Sequence, residues 1–103
     1  MARIKIEWSV EAKQDLVDIL QFYIDRNGNS LYSKKLYAKI NKNIKLLSTN
    51  PLLGIRTENP DIRALITGDY QIIYEVFEKL ILVIMIWDCR RDPEDKIIDL
   101  RRK

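Results

Sequence analysis

One stretch constrains the fold more than any other, and it runs from Tyr70 to Pro93 with the sequence YQIIYEVFEKLILVIMIWDCRRDP. Two apolar runs flank the polar pair Glu78-Lys79, a pattern that predicts a β-hairpin. The second run, Leu80 to Trp87, has no polar residue, as is typical of a strand buried on both faces. It is too short to cross a bilayer, which takes about 20 residues. We therefore expect it to be a central strand of a sheet.

The polarity inverts directly after this run, and two arginines, Arg90 and Arg91, follow the most buried element of the chain. Guanidinium groups are always charged and bind phosphates or carboxylates through paired hydrogen bonds. Side chains anchored on a rigid strand are also well placed for function. The structural alternative is that the two arginines form ion pairs with the neighbouring Asp88, Asp92 or Glu94. Residue chemistry alone leaves both interpretations open.

Length and composition set broad limits on the protein class. A chain of 103 residues, 47% apolar and 32% charged, is expected to form one globular domain spanning residues 1–103. The single cysteine, Cys89, excludes an intramolecular disulfide and suggests a reducing compartment. Because the start MARIKIEW lacks the apolar core of a signal peptide, we predict a cytoplasmic protein without membrane contact. There is no histidine, so we expect neither a metal site nor a cofactor.

The first half of the chain predicts a strand followed by a helical hairpin. Charged and apolar residues alternate from Arg3 to Trp8, as in a strand with one buried face. Ser9 is a suitable N-cap for a helix that reaches about Arg26, and Gly28 can adopt the left-handed conformation that ends it. We expect Ser30 to cap a second helix that ends before Asn50-Pro51. Its apolar stripe would be Leu36, Ile40, Ile44 and Leu47.

The second half predicts an antiparallel sheet. Pro51 to Pro60 has the composition of a loop, and a strand follows from Ile62 to Thr67. Gly68-Asp69 fits a two-residue turn. After the Tyr70–Trp87 hairpin, Asp92 and Pro93 could begin a short C-terminal helix whose apolar side would be Ile97, Ile98 and Leu100. The order β-α-α-β-β-β with this final helix defines an α+β fold, with a helical hairpin packed on one face of a small sheet.

A two-residue turn also fixes the register of the strands beside it. Thr67 would pair with Tyr70 and Arg63 with Tyr74, so Arg63 would share a face with Leu65 and Ile72. That face is the more apolar one, and an arginine there would lie at its rim or be displaced by a bulge. The opposite face would carry Ile62, Ala64, Ile66, Gln71, Ile73, Glu75 and Phe77. The sequence does not determine which face is open.

The second helix is strongly basic. Between Ser30 and Asn50 there are five lysines and no acid. Such a helix could contact the backbone of a nucleic acid. A solvated helix face is the commoner explanation, and the sequence leaves both open.

Four segments in a fixed order give the chain a family resemblance: EWSVEAKQDLVDILQFY, LLSTNPLLG, IRALITGDYQIIYEV and IMIWDCRRDP. Together they resemble the RelE/ParE superfamily of type II toxin–antitoxin toxins over nearly the whole chain. The resemblance implies a small toxin that a cognate antitoxin neutralises by wrapping its tail over the helices or the sheet. RelE-like members are ribosome-dependent mRNA endonucleases that use basic residues on the open sheet face and a C-terminal residue, often tyrosine. ParE-like members act on DNA gyrase.

The chain departs from the nuclease pattern at two places. Gln71 stands where such strands often carry arginine, and the C-terminal segment offers Ile97 and Ile98 but no tyrosine. Asp88, Asp92 or Glu75 could accept a proton, but none is favoured, so no catalytic residue is assigned. The functional candidates are Arg90, Arg91 and Arg63.

Together with the long helices, these departures favour a plasmid-stabilisation toxin that inhibits growth through gyrase. A ribosome-dependent mRNA endonuclease is the alternative. A third interpretation is a degenerate relative that binds antitoxin without being toxic.

Overall fold

The computed structural model describes residues 3–92, 96 and 98. The elements are β1 (Lys5–Trp8), α1 (Val10–Asn27), α2 (Leu31–Leu46), β2 (Ile55–Arg56), β3 (Ile62–Thr67), β4 (Tyr70–Val76) and β5 (Leu80–Asp88). The five strands form one sheet in the order β1-β5-β4-β3-β2. β1 runs parallel to β5, and every other neighbouring pair is antiparallel. The predicted α+β class is therefore confirmed, with the helical hairpin as the crossover between the two parallel strands.

β5 is a central strand, as its apolar run predicts. It lies between β1 and β4, and Ile81 and all residues from Val83 to Trp87 are buried. A bulge interrupts its alternation: Ile73 pairs with Met85 and Tyr74 with Val83, so Ile84 is the extra residue. Ile84 and Met85 consequently both pack in the cluster on the sheet face away from the helices.

α1 begins and ends as its sequence predicts. The Ser9 Oγ accepts a hydrogen bond from the Ala12 amide at 3.1 Å, which satisfies one of the free donors of the first turn. Gly28 closes the helix with φ of 73°, a left-handed conformation, and its amide donates to the Ile24 carbonyl.

The start of α2 differs from the prediction. Ser30 makes no side-chain cap, and the Asn29 Oδ1 instead accepts a hydrogen bond from the Leu31 amide at 3.1 Å. The reason is backbone geometry: Ser30 has φ of −98° and ψ of 5°, whereas an N-cap residue is normally extended. Asparagine one position earlier can bond an amide two residues on.

The helical hairpin covers one face of the sheet. The Ser33 hydroxyl on α2 donates to the Leu20 carbonyl on α1 at 2.6 Å and joins the two helices. The stripe predicted for α2 is buried, and it packs with residues of three strands, among them Leu65, Tyr70, Ile72, Tyr74, Ile81, Val83 and Ile86. The other face, called the open face below, carries Ile62, Ala64, Ile73, Ile84, Met85 and Trp87. The covered face is thus the one that includes Tyr70 and Tyr74.

The β3–β4 hairpin has the predicted register. Thr67 pairs with Tyr70 and Arg63 with Tyr74, and Gly68 supplies the positive φ of 60° in the turn. The segment between Pro51 and Pro60 is not entirely loop, because Ile55 and Arg56 form the edge strand β2 beside Ala64 and Arg63.

The predicted C-terminal helix rests on Pro93, Ile97 and Leu100, which lie outside the described residues. Among the helices that the structure describes, none has both the length and the apolar character needed to span a membrane.

Candidate functional site

Arg90 is held in place by groups from three elements. Its Nε donates to the Asp88 Oδ1 and its Nη2 to the Asp88 Oδ2, both at 2.9 Å, which makes a bidentate pair. Nη2 also donates to the hydroxyl of Tyr23 on α1 at 2.9 Å and to that of Tyr70 on β4 at 3.3 Å. The Arg90 side chain is nevertheless 53% exposed. We call these four residues the arginine clamp: Tyr23, Tyr70, Asp88 and Arg90.

The clamp shifts the pKa values of its own members. The Arg90 guanidinium lowers the pKa of Asp88 below the ordinary 3.8, although partial burial opposes this. Burial raises the pKa of Tyr70, and a hydrogen bond to Tyr23 raises it further. The hydrogen bonds that Tyr23 receives from Tyr70 and Arg90 lower its own pKa. Asp88 is consequently ionised, and Tyr70 remains a neutral donor, over the whole physiological range.

Arg91 is held differently from Arg90. Its guanidinium carbon lies 4.7 Å from the ring centroid of Trp87, a cation–π arrangement. Arg91 is exposed and makes no ion pair with any residue among 3–92, 96 and 98. Stacking fixes the plane of the guanidinium while its N–H donors stay available to an anionic group. The two neighbouring arginines therefore have different environments. Arg90 is clamped by hydrogen bonds, whereas Arg91 is stacked on Trp87 and presented to solvent.

Both arginines line a cleft of about 240 Å³ between α1 and the end of β5. Its other walls include Asp15, Asp18 and Phe22 of α1. β1 ends at Trp8, opposite Val83, and no other strand of the described residues continues along this edge of β5. There the Asp15 Oδ2 accepts a hydrogen bond from the Ile86 amide at 3.0 Å. The carboxylate thereby satisfies a strand edge and fastens α1 to the cleft.

Arg63 does not line this cleft. Its Nη1 donates to the Gly54 carbonyl at 2.8 Å and to the Leu52 carbonyl at 3.3 Å. The buried Tyr74 holds the same loop, since its hydroxyl donates to the Pro51 carbonyl and accepts from the Gly54 amide, both at 2.8 Å. Arg63 therefore lies at the rim of the covered face, one of its two predicted places, and fastens the loop that carries β2.

The open face has an apolar floor and a partly charged margin. A larger cavity of about 880 Å³ extends over Ile62, Ala64 and Ile73, and its lining includes the charged residues Arg56, Glu58 and Lys96. At its edge the Lys96 Nζ donates to the Gln71 Oε1 at 3.1 Å, so the glutamine side chain has a basic partner. Within the part of the chain that the structure describes, no cluster of three metal-ligating side chains is present. This face offers a binding surface but no evident catalytic set.

A third, mainly apolar groove of about 340 Å³ lies between the two helices. Trp8, Leu16, Val17, Tyr37 and Ile40 line it, with Lys13 and Asn41 at its margin. Val17 is 55% exposed and Tyr37 48% exposed, which is unusual for large apolar side chains lining one groove. Such a groove is suited to the apolar side of a partner polypeptide.

Sequence reasoning missed the partners that distinguish the two arginines. Tyr23 has the helical spacing of a core residue, and nothing local connects it to Arg90, 67 positions away. The proximity of Tyr70 was predictable from the sequence. The two strands of a hairpin place the first residue of one strand opposite the last residue of the other, here Tyr70 opposite Asp88. The contact of Arg91 with Trp87 does not follow from strand alternation, because β5 ends at Asp88 and the chain turns before Arg91.

The profile of the family described as "ParE toxin of type II toxin-antitoxin system, parDE" matches residues 6–93. The chain belongs to the ParE toxin family of type II toxin–antitoxin systems, within the RelE/ParE superfamily. A search of curated proteins finds no significant match.

Two solved structures share the fold. One is a chain of the chromosomal ParDE toxin–antitoxin system from P. aeruginosa, with a TM-score of 0.73 and 23% identity; the match covers 84% of this chain and 96% of that one. The other is a chain of the RelBE2 toxin–antitoxin complex from Mycobacterium tuberculosis, with a TM-score of 0.61 and 18% identity. That match covers 85% of this chain and 93% of the other. At these identities the likeness shows a common fold.

Proposed function

We propose that this ParE-family chain inhibits growth by binding DNA gyrase, and that a cognate antitoxin silences it in a plasmid-stabilisation module. The observation that carries the proposal is the arrangement at the end of β5, where a stacked Arg91 is presented beside a clamped Arg90. It is an arrangement for binding a partner. Gyrase is cytoplasmic, and we propose the same location for the toxin.

The chemistry of the site argues against RNA cleavage. Metal-free phosphodiester cleavage needs clustered positive charge for the transition state and a group that accepts a proton. The cavity on the open face has an apolar floor at Ile62, Ala64 and Ile73, and among the described residues only Arg56 and Lys96 add positive charge to its lining. Asp88 is a poor proton acceptor because Arg90 lowers its pKa below 3.8. Glu75, at 8% exposure, is too buried to reach a bound RNA.

Arg91 is the residue that we assign to target contact. Arg90 already donates from its Nε and Nη2 to Asp88, Tyr23 and Tyr70, whereas Arg91 is exposed and forms no ion pair with the described residues. Trp87 is buried, so its ring orients the Arg91 guanidinium and offers little contact surface of its own. Arginine is one of the residue types most enriched at the energetic centres of protein interfaces.

The groove between the helices is the surface that we assign to the antitoxin. Its exposed Val17 and Tyr37 would be covered by apolar side chains of an antitoxin segment. Of the two solved structures reported above, one comes from a ParDE toxin–antitoxin system and the other from a RelBE2 toxin–antitoxin complex. We call Arg90 and Arg91, at the end of β5, the arginine tip. An antitoxin segment in the groove would leave the arginine tip to be blocked by another part of the same antitoxin.

Expression in growing cells tests the proposal. Inducing the chain without its antitoxin should stop growth and leave a reporter plasmid less negatively supercoiled while mRNA stays intact. Co-expression of the antitoxin should restore both growth and plasmid topology. Normal topology with mRNA cut at codon spacing would support the RelE-like endonuclease instead. Unaffected growth would reject the toxin assignment and favour the degenerate, antitoxin-binding relative.

A further inference from the structure

The solvent face of α2 carries a single sign of charge. Its five lysines are all exposed, while Ser33, Leu36, Ile40 and Ile44 face the core. We call this set the lysine stripe: Lys34, Lys35, Lys39, Lys42 and Lys45. At about 1.5 Å per residue it extends over about 16 Å along one side of the molecule.

None of these five ammonium groups forms an ion pair within the described residues. Lys35 and Lys39 are four positions apart, and Lys39, Lys42 and Lys45 follow at intervals of three. Like charges at these spacings destabilise a helix by about 0.2–0.5 kcal/mol per pair. The stripe therefore lowers the stability of α2. The Lys39 ammonium group lies close to the turn at Gly68, but no ion pair within the described residues offsets the repulsion between the lysines.

α1 shows what an ordinary solvent face looks like in the same molecule. It carries both signs of charge, and two glutamines each donate to an aspartate four positions later, Gln14 to Asp18 at 2.7 Å and Gln21 to Asp25 at 2.9 Å. α1 thus has four acids and two bases, and two of its aspartates accept hydrogen bonds from neighbouring side chains. α2 differs because all of its charges have one sign, although both helices bury one apolar side.

The lysine stripe also accounts for the positive sign of the net charge of the chain. The sequence has 18 lysines and arginines against 15 acids. α2 holds five of the lysines and no acid, so the remainder has 13 basic and 15 acidic residues. α2 is therefore the most basic of the described elements, and its lysines would attract a polyanion.

We propose that the lysine stripe binds the phosphate backbone of duplex nucleic acid without reading its sequence. Lysines are point charges on flexible stems, and they suit repeated phosphates better than a single planar carboxylate. Binding would be electrostatic and would weaken steeply with salt. This surface is separate from the arginine tip, so the proposal does not depend on the identity of the toxin's target.

The experiment measures fluorescence anisotropy of labelled 24-base-pair DNA and RNA duplexes with the purified chain from 50 to 200 mM salt. If all five lysines contact phosphates, the logarithm of the DNA association constant should fall with the logarithm of salt with a slope of about −4.5. The double variant Lys39→Gln/Lys42→Gln should bind at least about tenfold more weakly at 50 mM salt, with a slope near −2.7. Lys34→Gln/Lys45→Gln provides a second pair if the first folds poorly.

The matched control is Arg26→Gln/Lys79→Gln, which removes the same net charge from exposed positions outside α2. It should change DNA affinity less than about twofold and leave the slope intact. An equal loss in both variants would show that only net charge matters and would overturn the proposal. So would absence of binding to both duplexes at 50 mM salt. Displacement of DNA by polyglutamate at equal charge would assign the stripe to an acidic polypeptide instead.

Discussion

The Arg90 guanidinium and the Asp88 carboxylate, two residues apart at the end of β5, share two parallel hydrogen bonds of 2.9 Å each. Asp88 also accepts a hydrogen bond from the Arg90 amide at 2.9 Å. The pair closes the chain into a tight turn directly after the most buried strand. It thereby fixes the direction in which the next residue, Arg91, leaves the sheet.

The clamp predicts unequal stability effects for the two arginines. Arg90→Ala removes hydrogen bonds to Asp88, Tyr23 and Tyr70 and should lower the free energy of unfolding by about 1–2 kcal/mol. Arg91→Ala removes one exposed cation–π contact and should cost about 0.5 kcal/mol. Urea denaturation of the two variants measures both values. Equal losses would contradict the difference between a clamped and a presented arginine.

The Asp88–Arg90 pair predicts an acid-dependent contribution to stability. Because the pKa of Asp88 is lowered on folding, its contribution is fully present above the ordinary value of 3.8 and is lost as pH falls through the lower folded pKa. Asp88→Asn should therefore be about 1 kcal/mol less stable than the parent at pH 7, and this difference should shrink as pH falls below the ordinary value of 3.8. Urea titrations at a series of pH values make the comparison. A difference that grows as pH falls below 3.8 would contradict the assignment.

The hydrogen bonds that hold the loop carrying β2 predict that substitutions at Tyr74 and Gly54 destabilise the protein. Tyr74→Phe leaves the Gly54 amide and the Pro51 carbonyl without their partner and should cost about 1–3 kcal/mol. Gly54→Ala should cost a similar amount, since an added Cβ would lie 2.8 Å from the Tyr74 Oη and 3.0 Å from the Ala64 backbone. The exposed Tyr37→Phe is the control and should change stability by less than about 0.5 kcal/mol. Thermal unfolding would refute this account if the control were as damaging as Tyr74→Phe.

The groove between the helices predicts a variant that separates antitoxin binding from toxicity. Val17→Glu places a charge in an apolar groove at an exposed position, so folding should be nearly unaffected while antitoxin affinity falls at least about tenfold. Such a variant should remain toxic and escape neutralisation. Glu11→Gln, an exposed change on the same helix outside the groove, is the control. Undiminished antitoxin binding by Val17→Glu, measured by calorimetry, would place the antitoxin elsewhere.

Local patterns in the sequence were sufficient for much of the fold. The apolar run of β5, the positive φ at Gly28 and the two-residue turn at Gly68 each depend on neighbouring residues, so they were predictable. The register that follows from that turn placed Arg63 opposite Tyr74 correctly. The extra residue Ile84 was not predictable, because a bulge depends on how two strands and the helices pack together.

The site depended more on long-range contacts. The sequence does not show which of Arg90 and Arg91 is hydrogen-bonded inside the protein. Tyr23, which accepts a hydrogen bond from Arg90, lies on a helix far away in sequence. The same holds for Arg63, whose hydrogen bonds to Leu52 and Gly54 depend on the path of a loop that contains the unpredicted strand β2. The roles of all three arginines in target binding remain predictions.

The most direct test of the central claim is a supercoiling assay with purified gyrase and relaxed plasmid, titrated with the purified chain. We predict dose-dependent loss of supercoiling, and at least about a tenfold higher dose requirement for Arg91→Ala than for the parent chain. Both proteins should have nearly the same melting temperature, so that the loss reflects contact and not unfolding. Full supercoiling at every dose of the parent chain, with mRNA cleaved in a translating extract by the same preparation, would contradict the account.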